Sequence, residues 1–68
     1  MESWHQAIDD FTKAIEFNSD SAIYFYYRGK CEIKVKLKSK ACEDFNSAKD
    51  MGLDDAEKEI DLYCHLKY

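Results

Sequence analysis

The feature that most constrains the fold of this chain is an internal repeat with a period of 34 residues. When the sequence is shifted by that period, residues 7–22 align with residues 41–56, and six of sixteen positions are identical, against about one expected by chance. The identical pairs are Ala7 and Ala41, Asp10 and Asp44, Phe11 and Phe45, Ala14 and Ala48, Asp20 and Asp54, and Ala22 and Ala56. A period of this length is typical of proteins in which each unit is a pair of helices.

Two helices are predicted in the first half of the chain. Apolar residues recur at spacings of three and four between Trp4 and Phe17, which predicts a first helix with a wide apolar face. Residues 18–21 are turn formers, and Asp20 is predicted to cap a second helix that begins at Ala22. Gly29 in the middle of that helix marks a place where two helices can approach closely.

A third helix is predicted around Ala41, Phe45 and Ala48, which share one helical face. Residues 34–40 precede it and contain no Gly, Pro, Asn or Asp, so this turn is weakly encoded. The rings of Phe11 and Phe45, each flanked by small residues on its own helix, are predicted to be core residues.

The last helix has the clearest boundary in the sequence. Gly52 is predicted to adopt a left-handed conformation at the end of the third helix. Asp54, with Glu57 three residues later, predicts the capped start of a helix from Asp55 to about Leu66.

These residues resemble the tetratricopeptide repeat (TPR) family. The carriers of the resemblance are Ala7-Ile8, Phe11 and Ala14-Ile15, repeated as Ala41-Cys42, Phe45 and Ala48, with Arg28-Gly29 in the helix between them. The resemblance implies an all-α fold of about four helices, a helical-hairpin fragment of an α-solenoid. Residues 1–18 would be the second helix of an incomplete repeat, residues 19–52 a complete hairpin and residues 53–68 a C-terminal capping helix. The chain departs from the family at Ser19, where Pro is usual, and at Lys36, where Gly or Asp is common.

The resemblance also implies a function in protein–protein interaction. In this family the first helix of each repeat lines a concave face that binds peptides or partner helices. Here that face would consist of Ile23, Tyr26, Lys30, Ile33 and Lys34. The alternative is a structural or self-assembly fragment of a larger repeat protein. Chaperone binding is not expected, because the chain has Tyr27 where a carboxylate clamp needs Asn.

Composition excludes several other classes of function. A net charge of −4 and a pI near 5.0 argue against nucleic acid as a ligand. No stretch is long and apolar enough for a membrane span, and the start of the chain lacks the features of a signal peptide, so a cytoplasmic protein is predicted. The three cysteines have no CxxC spacing and are expected to be reduced thiols. No catalytic, metal or cofactor constellation is present, so the chain is not expected to be an enzyme.

A homo-oligomer is expected, because the first helix lacks a neighbour on one side. Trp4, Ile8 and Ile15 would face water unless a partner covers them. A second copy can do so by two routes. The last helix of one copy can occupy the vacant place on another, or the turn at residues 36–40 can straighten and exchange helices between copies. Because exchange about a twofold axis closes, the exchanged dimer is the arrangement that the sequence favours.

Overall fold

The computed structural model describes residues 3–64 of the chain and shows four α-helices within them. They are α1 (Trp4–Phe17), α2 (Ala22–Lys34), α3 (Lys38–Asp50) and α4 (Asp55–Tyr63). The predicted all-α fold is therefore confirmed, as are both ends of α1 and the start of α2. Each helix packs against the next one in sequence, which leaves α1 and α4 at opposite ends of the row. The predicted end of the last helix, near Leu66, lies outside the described residues.

The core lies between α2, α3 and α4, around the ring of Phe45. Its fully buried members are Phe45, Ala41, Ala48 and Ala56, and partly buried side chains that include Phe25, Ile33, Leu53 and Ile60 pack against them. Gly29 of α2 lies directly against the ring, because a Cβ atom at this position would be 2.7 Å from Cε1 of Phe45. Both sequence predictions are confirmed here: Phe45 is a core residue, and Gly29 marks the close approach of two helices.

Phe11 does not repeat the environment of Phe45. Its ring contacts Tyr24 and Tyr27 of α2, with centroid distances of 6.3 and 6.0 Å. It is only partly buried, and α1 contains no buried residue. The prediction that Phe11 is a core residue is therefore wrong. The ring is only partly buried, because within residues 3–64 no helix packs on the other side of α1.

The bend between α2 and α3 is closed by a Schellman cap although it contains no glycine. The N–H of Lys36 donates to the carbonyl of Ile33 at 3.1 Å, and the N–H of Leu37 donates to the carbonyl of Glu32 at 2.8 Å. Lys36 adopts φ 67, a left-handed conformation that costs a non-glycine residue about 1 kcal/mol. The sequence suggested a poorly specified turn because backbone amides, rather than characteristic side chains, make this cap.

The other helix ends follow the predictions in part. Gly52 has φ 104, as predicted for the left-handed position after α3. Ser21, not Asp20, is the N-cap residue of α2, because the turn extends one residue further and the N–H of Asp20 bonds the side chain of Asn18 at 3.3 Å. Asp54 is the N-cap residue of α4, but its side chain makes no capping hydrogen bond.

A disulfide links α3 to the end of α4. Cys42 and Cys64 are joined, and their Cα atoms are 5.6 Å apart. The expectation of three reduced thiols is wrong for this pair. The two cysteines lie at equal sequence distance on either side of Leu53, at the α3–α4 bend, so the antiparallel hairpin places them opposite each other. Cys31, which is buried in α2, lies outside this disulfide.

Replacing Phe45 with Ala should lower the free energy of unfolding by about 3–5 kcal/mol, because the small residues around the ring cannot fill the cavity. Phe17→Ala is the matched control, since the same atoms are removed from a side chain that is 92% exposed. Thermal unfolding followed by circular dichroism measures both. Equal melting temperatures for the two variants would contradict the assignment of Phe45 to the core.

Reducing the disulfide should lower the free energy of unfolding by about 3 kcal/mol, because the link closes a loop between cysteines separated by 22 positions. A thiol reductant should therefore lower the melting temperature of the wild-type chain and of Cys31→Ala. Cys42→Ser should have a lower melting temperature than the wild type, and the reductant should not lower it further. If Cys42→Ser responds as the wild type does, the link does not stabilise the fold.

Candidate functional site

An apolar groove with a volume of about 250 Å³ lies between α1 and α2. Two residues of α1 and four of α2 line it: Trp4, Phe11, Tyr27, Lys30, Cys31 and Lys34. Each helix contributes a single face, since the two α1 residues are seven apart and the α2 residues follow spacings of three and four. These six residues are called the groove below.

Aromatic surface and positive charge meet at the groove. Trp4 and Tyr27 are 50% and 44% exposed, so both rings present apolar surface to solvent at the groove. The Nζ atom of Lys34 lies 5.8 Å from the centroid of the Trp4 ring, and that of Lys30 lies 5.2 Å from the Tyr26 ring. Within residues 3–64 neither lysine forms a salt bridge. Both ammonium groups can therefore bind the carboxylates of a ligand.

The structure divides the five predicted face residues between two sides of α2. Tyr26 and Ile33 pack against the core, and the Tyr26 hydroxyl donates to Oε2 of Glu59 in α4 at 3.4 Å. Ile23 is 45% exposed and does not line the groove. Only Lys30 and Lys34 of the predicted set lie in the groove.

The residues predicted for self-association also differ in their surroundings. Trp4 lines the groove and is half exposed, whereas Ile8 and Ile15 are partly buried. Tyr27 and Cys31 line the groove but are not among the interaction residues predicted from the sequence. Their spacing to the two lysines was visible in the sequence, but only the packing of α1 shows which face of α2 borders the groove.

Arg28 fixes the position of α1 relative to α2 and α3. Its Nε and Nη2 atoms donate to the two carboxylate oxygens of Asp44 in α3, at 2.8 and 2.7 Å. Its Nη1 atom donates to Oγ1 of Thr12 in α1 at 3.2 Å, and the Thr12 hydroxyl donates to the carbonyl of Ile8 at 2.8 Å. One guanidinium thus joins three helices.

Glu32 lies beside this arginine and is 1% exposed. Its Oε2 atom is 3.7 Å from Nε of Arg28, and its Oε1 atom has no hydrogen-bond partner among residues 3–64. Burial, together with a hydrogen bond to Asp44 and the negative charge of that residue, raises the pKa of Glu32 to about 8, against the opposing attraction of Arg28 and Lys40. The protonated form of Glu32 is therefore favoured well above the ordinary pH range of a glutamic acid.

A second groove of about 320 Å³ lies beside the disulfide, at the start of α3 and the end of α4. It is lined by Lys38, Ser39, Cys42, Tyr63 and Cys64. Tyr63 is its single aromatic residue, so it offers less apolar surface than the groove between α1 and α2. Among the described residues, no cluster of three or more His, Cys, Asp or Glu side chains is arranged to hold a metal ion.

Comparison with known proteins adds no family assignment. No family model, no curated protein and no solved structure matches this chain. Within residues 3–64, no helix is long and apolar enough to cross a membrane.

Glu32→Gln should remove a pH dependence of stability. Since the pKa of Glu32 is higher in the folded chain than in the unfolded one, the folded state holds the proton more tightly, and its stability should fall as pH rises from the ordinary Glu range through 8. The free energy of unfolding should change by at most about 1.4 kcal/mol per pH unit. Melting temperatures of the wild type should therefore decline between about pH 5 and pH 9 more steeply than those of Glu32→Gln. Glu43→Gln, at an exposed site on α3, should keep the wild-type slope.

Proposed function

We propose that this chain is a protein-interaction module built from TPR-like helical hairpins, and that its groove binds an amphipathic segment of a partner. The observation that carries the proposal is the combination of half-exposed aromatic rings, Trp4 and Tyr27, with the ammonium groups of two lysines that form no salt bridge within residues 3–64. Trp and Tyr are among the residue types in which the binding energy of protein interfaces is most often concentrated.

The expected ligand follows from the chemistry of the groove. Its walls can bury an aliphatic or aromatic side chain, and Lys30 and Lys34 can pair with carboxylates on either side of it. A helix with one apolar anchor and flanking acidic residues satisfies both requirements. The face predicted from the sequence contributes its two lysines to this site, while Tyr26 and Ile33 hold α2 in place from the core side.

The TPR-like interpretation is supported by local structure rather than by a match to known proteins. The bends after α2 and after α3 carry the same pair of backbone hydrogen bonds, and the Gly29–Phe45 contact gives the central hairpin its close packing. The alternative, a self-assembling fragment of a larger repeat protein, uses the same uncovered surface of α1. Catalysis is not proposed.

The cellular compartment of this protein stays a prediction. The cytoplasmic prediction depends on the absence of sorting features and on the expectation of reduced thiols, whereas a disulfide such as Cys42–Cys64 persists most readily where conditions are oxidising. The proposed binding function does not depend on this choice, since the disulfide joins α3 and α4 and the groove lies between α1 and α2.

Selection from a displayed library of random peptides of about 15 residues tests the proposal. The full chain is used as bait at a concentration where it is monomeric. Enriched peptides should carry Leu, Phe or Ile with Asp or Glu one helical turn away, and binding should weaken at least about tenfold against Lys30→Glu/Lys34→Glu. Lys13→Glu/Lys36→Glu changes the charge equally at exposed positions elsewhere and should leave binding unchanged. Absence of enrichment, or equal loss in both double variants, would reject the groove as the site.

A further inference from the structure

We propose that the partner segment is helix α4 of a second copy of this chain, so that copies join head to tail. This inference rests on the proposed function, because it names a ligand for the same groove. The two ends of the helix row both carry exposed apolar surface, and their net charges are opposite, so one end can dock on the other.

Uncovered apolar surface is present at both ends of the row. At one end, α1 has an apolar stripe but no buried residue, and Trp4 is 50% exposed. At the other end, α4 buries only Ala56, and Leu62 is 71% exposed. Docking the outer face of α4 on the groove places Leu62 against the rings of Trp4 and Tyr27. A single contact therefore covers both ends of the row.

The net charges of the groove and of α4 are opposite, because α4 carries Asp55, Glu57, Glu59 and Asp61 against the single cation Lys58. The groove carries Lys30 and Lys34, whereas Asp55 and Asp61 of α4 are exposed and form no salt bridge within residues 3–64. Asp55 lies seven positions before Leu62 and Lys58 four positions before it, so both share the face of Leu62, whereas Asp61 points about 100° away around the helix. The two aspartates are about 9 Å apart along the helix axis and the two lysines about 6 Å, a difference that flexible lysine side chains can span.

Exchange of helices between two chains does not cover these exposed surfaces. An exchanged dimer rebuilds the contacts of the monomer between two chains, so the groove and the outer face of α4 would stay as exposed as before. Docking of α4 into the groove instead forms a new contact. Because this contact joins two different surfaces, it repeats from copy to copy and gives open chains rather than a closed dimer.

Sedimentation velocity of the full chain over a wide dilution series tests the contact. The wild type should form a ladder of species that dissociate on dilution. Lys30→Glu/Lys34→Glu and Leu62→Asp should each weaken association at least about tenfold. Two matched controls should associate as the wild type does: Lys13→Glu/Lys36→Glu, and Phe17→Asp, which changes a 92% exposed side chain outside the groove.

Mixing the two defective variants provides the decisive measurement. The lysine variant keeps an intact α4 and the Leu62 variant keeps an intact groove, so an equimolar mixture should form a particle of two chains and no larger species. A particle of one chain's mass at every concentration would overturn the proposal, as would a dimer that persists in both variants, which would indicate exchange. Peptide binding by a chain that stays monomeric would refute this inference and leave the proposed function intact.

Discussion

The bidentate ion pair between Arg28 and Asp44 is the interaction on which the arrangement of the helices depends. Both oxygens of the carboxylate are bonded at 2.7–2.8 Å, and the third nitrogen of the guanidinium reaches Thr12. A planar group with fixed donor directions restricts how α2 and α3 can be oriented relative to each other, and its hydrogen bond to Thr12 links α1 to the same pair. Glu32 adds a second buried carboxyl beside the same cation, and its burial favours the protonated form.

Much of the fold could be predicted because the internal repeat and the spacing of apolar residues indicate the same helices. The stripe of α1, the turn formers after it and the Gly29–Phe45 pair all carry local signals, and the structure confirms them. The disulfide could not be found from cysteine spacing, since it depends on where the α3–α4 hairpin bends. The groove was found only in part, because Lys30 and Lys34 share a helical face with core residues as well as with Tyr27.

At Lys36 the backbone needs a left-handed conformation that the residue type does not indicate. The positions after α2 and after α3 need the same left-handed conformation, and only the second is occupied by glycine. Sequence reasoning identifies such a position by glycine or asparagine, because these residues adopt the conformation at little cost. The lysine carries that cost because the two hydrogen bonds of the cap and the packing of α2 on α3 outweigh it.

The two ends of the helix row are held by different means. The disulfide holds α4 on α3 covalently, even though α4 has nine residues and buries only one of them. By contrast, α1 is held by aromatic contacts and by one hydrogen bond from Arg28 to Thr12. An element without buried residues gains little from packing within its own chain, so the stability of α1 depends on what covers it. The groove borders this helix, and a ligand bound there would stabilise the half of the fold that the chain stabilises least.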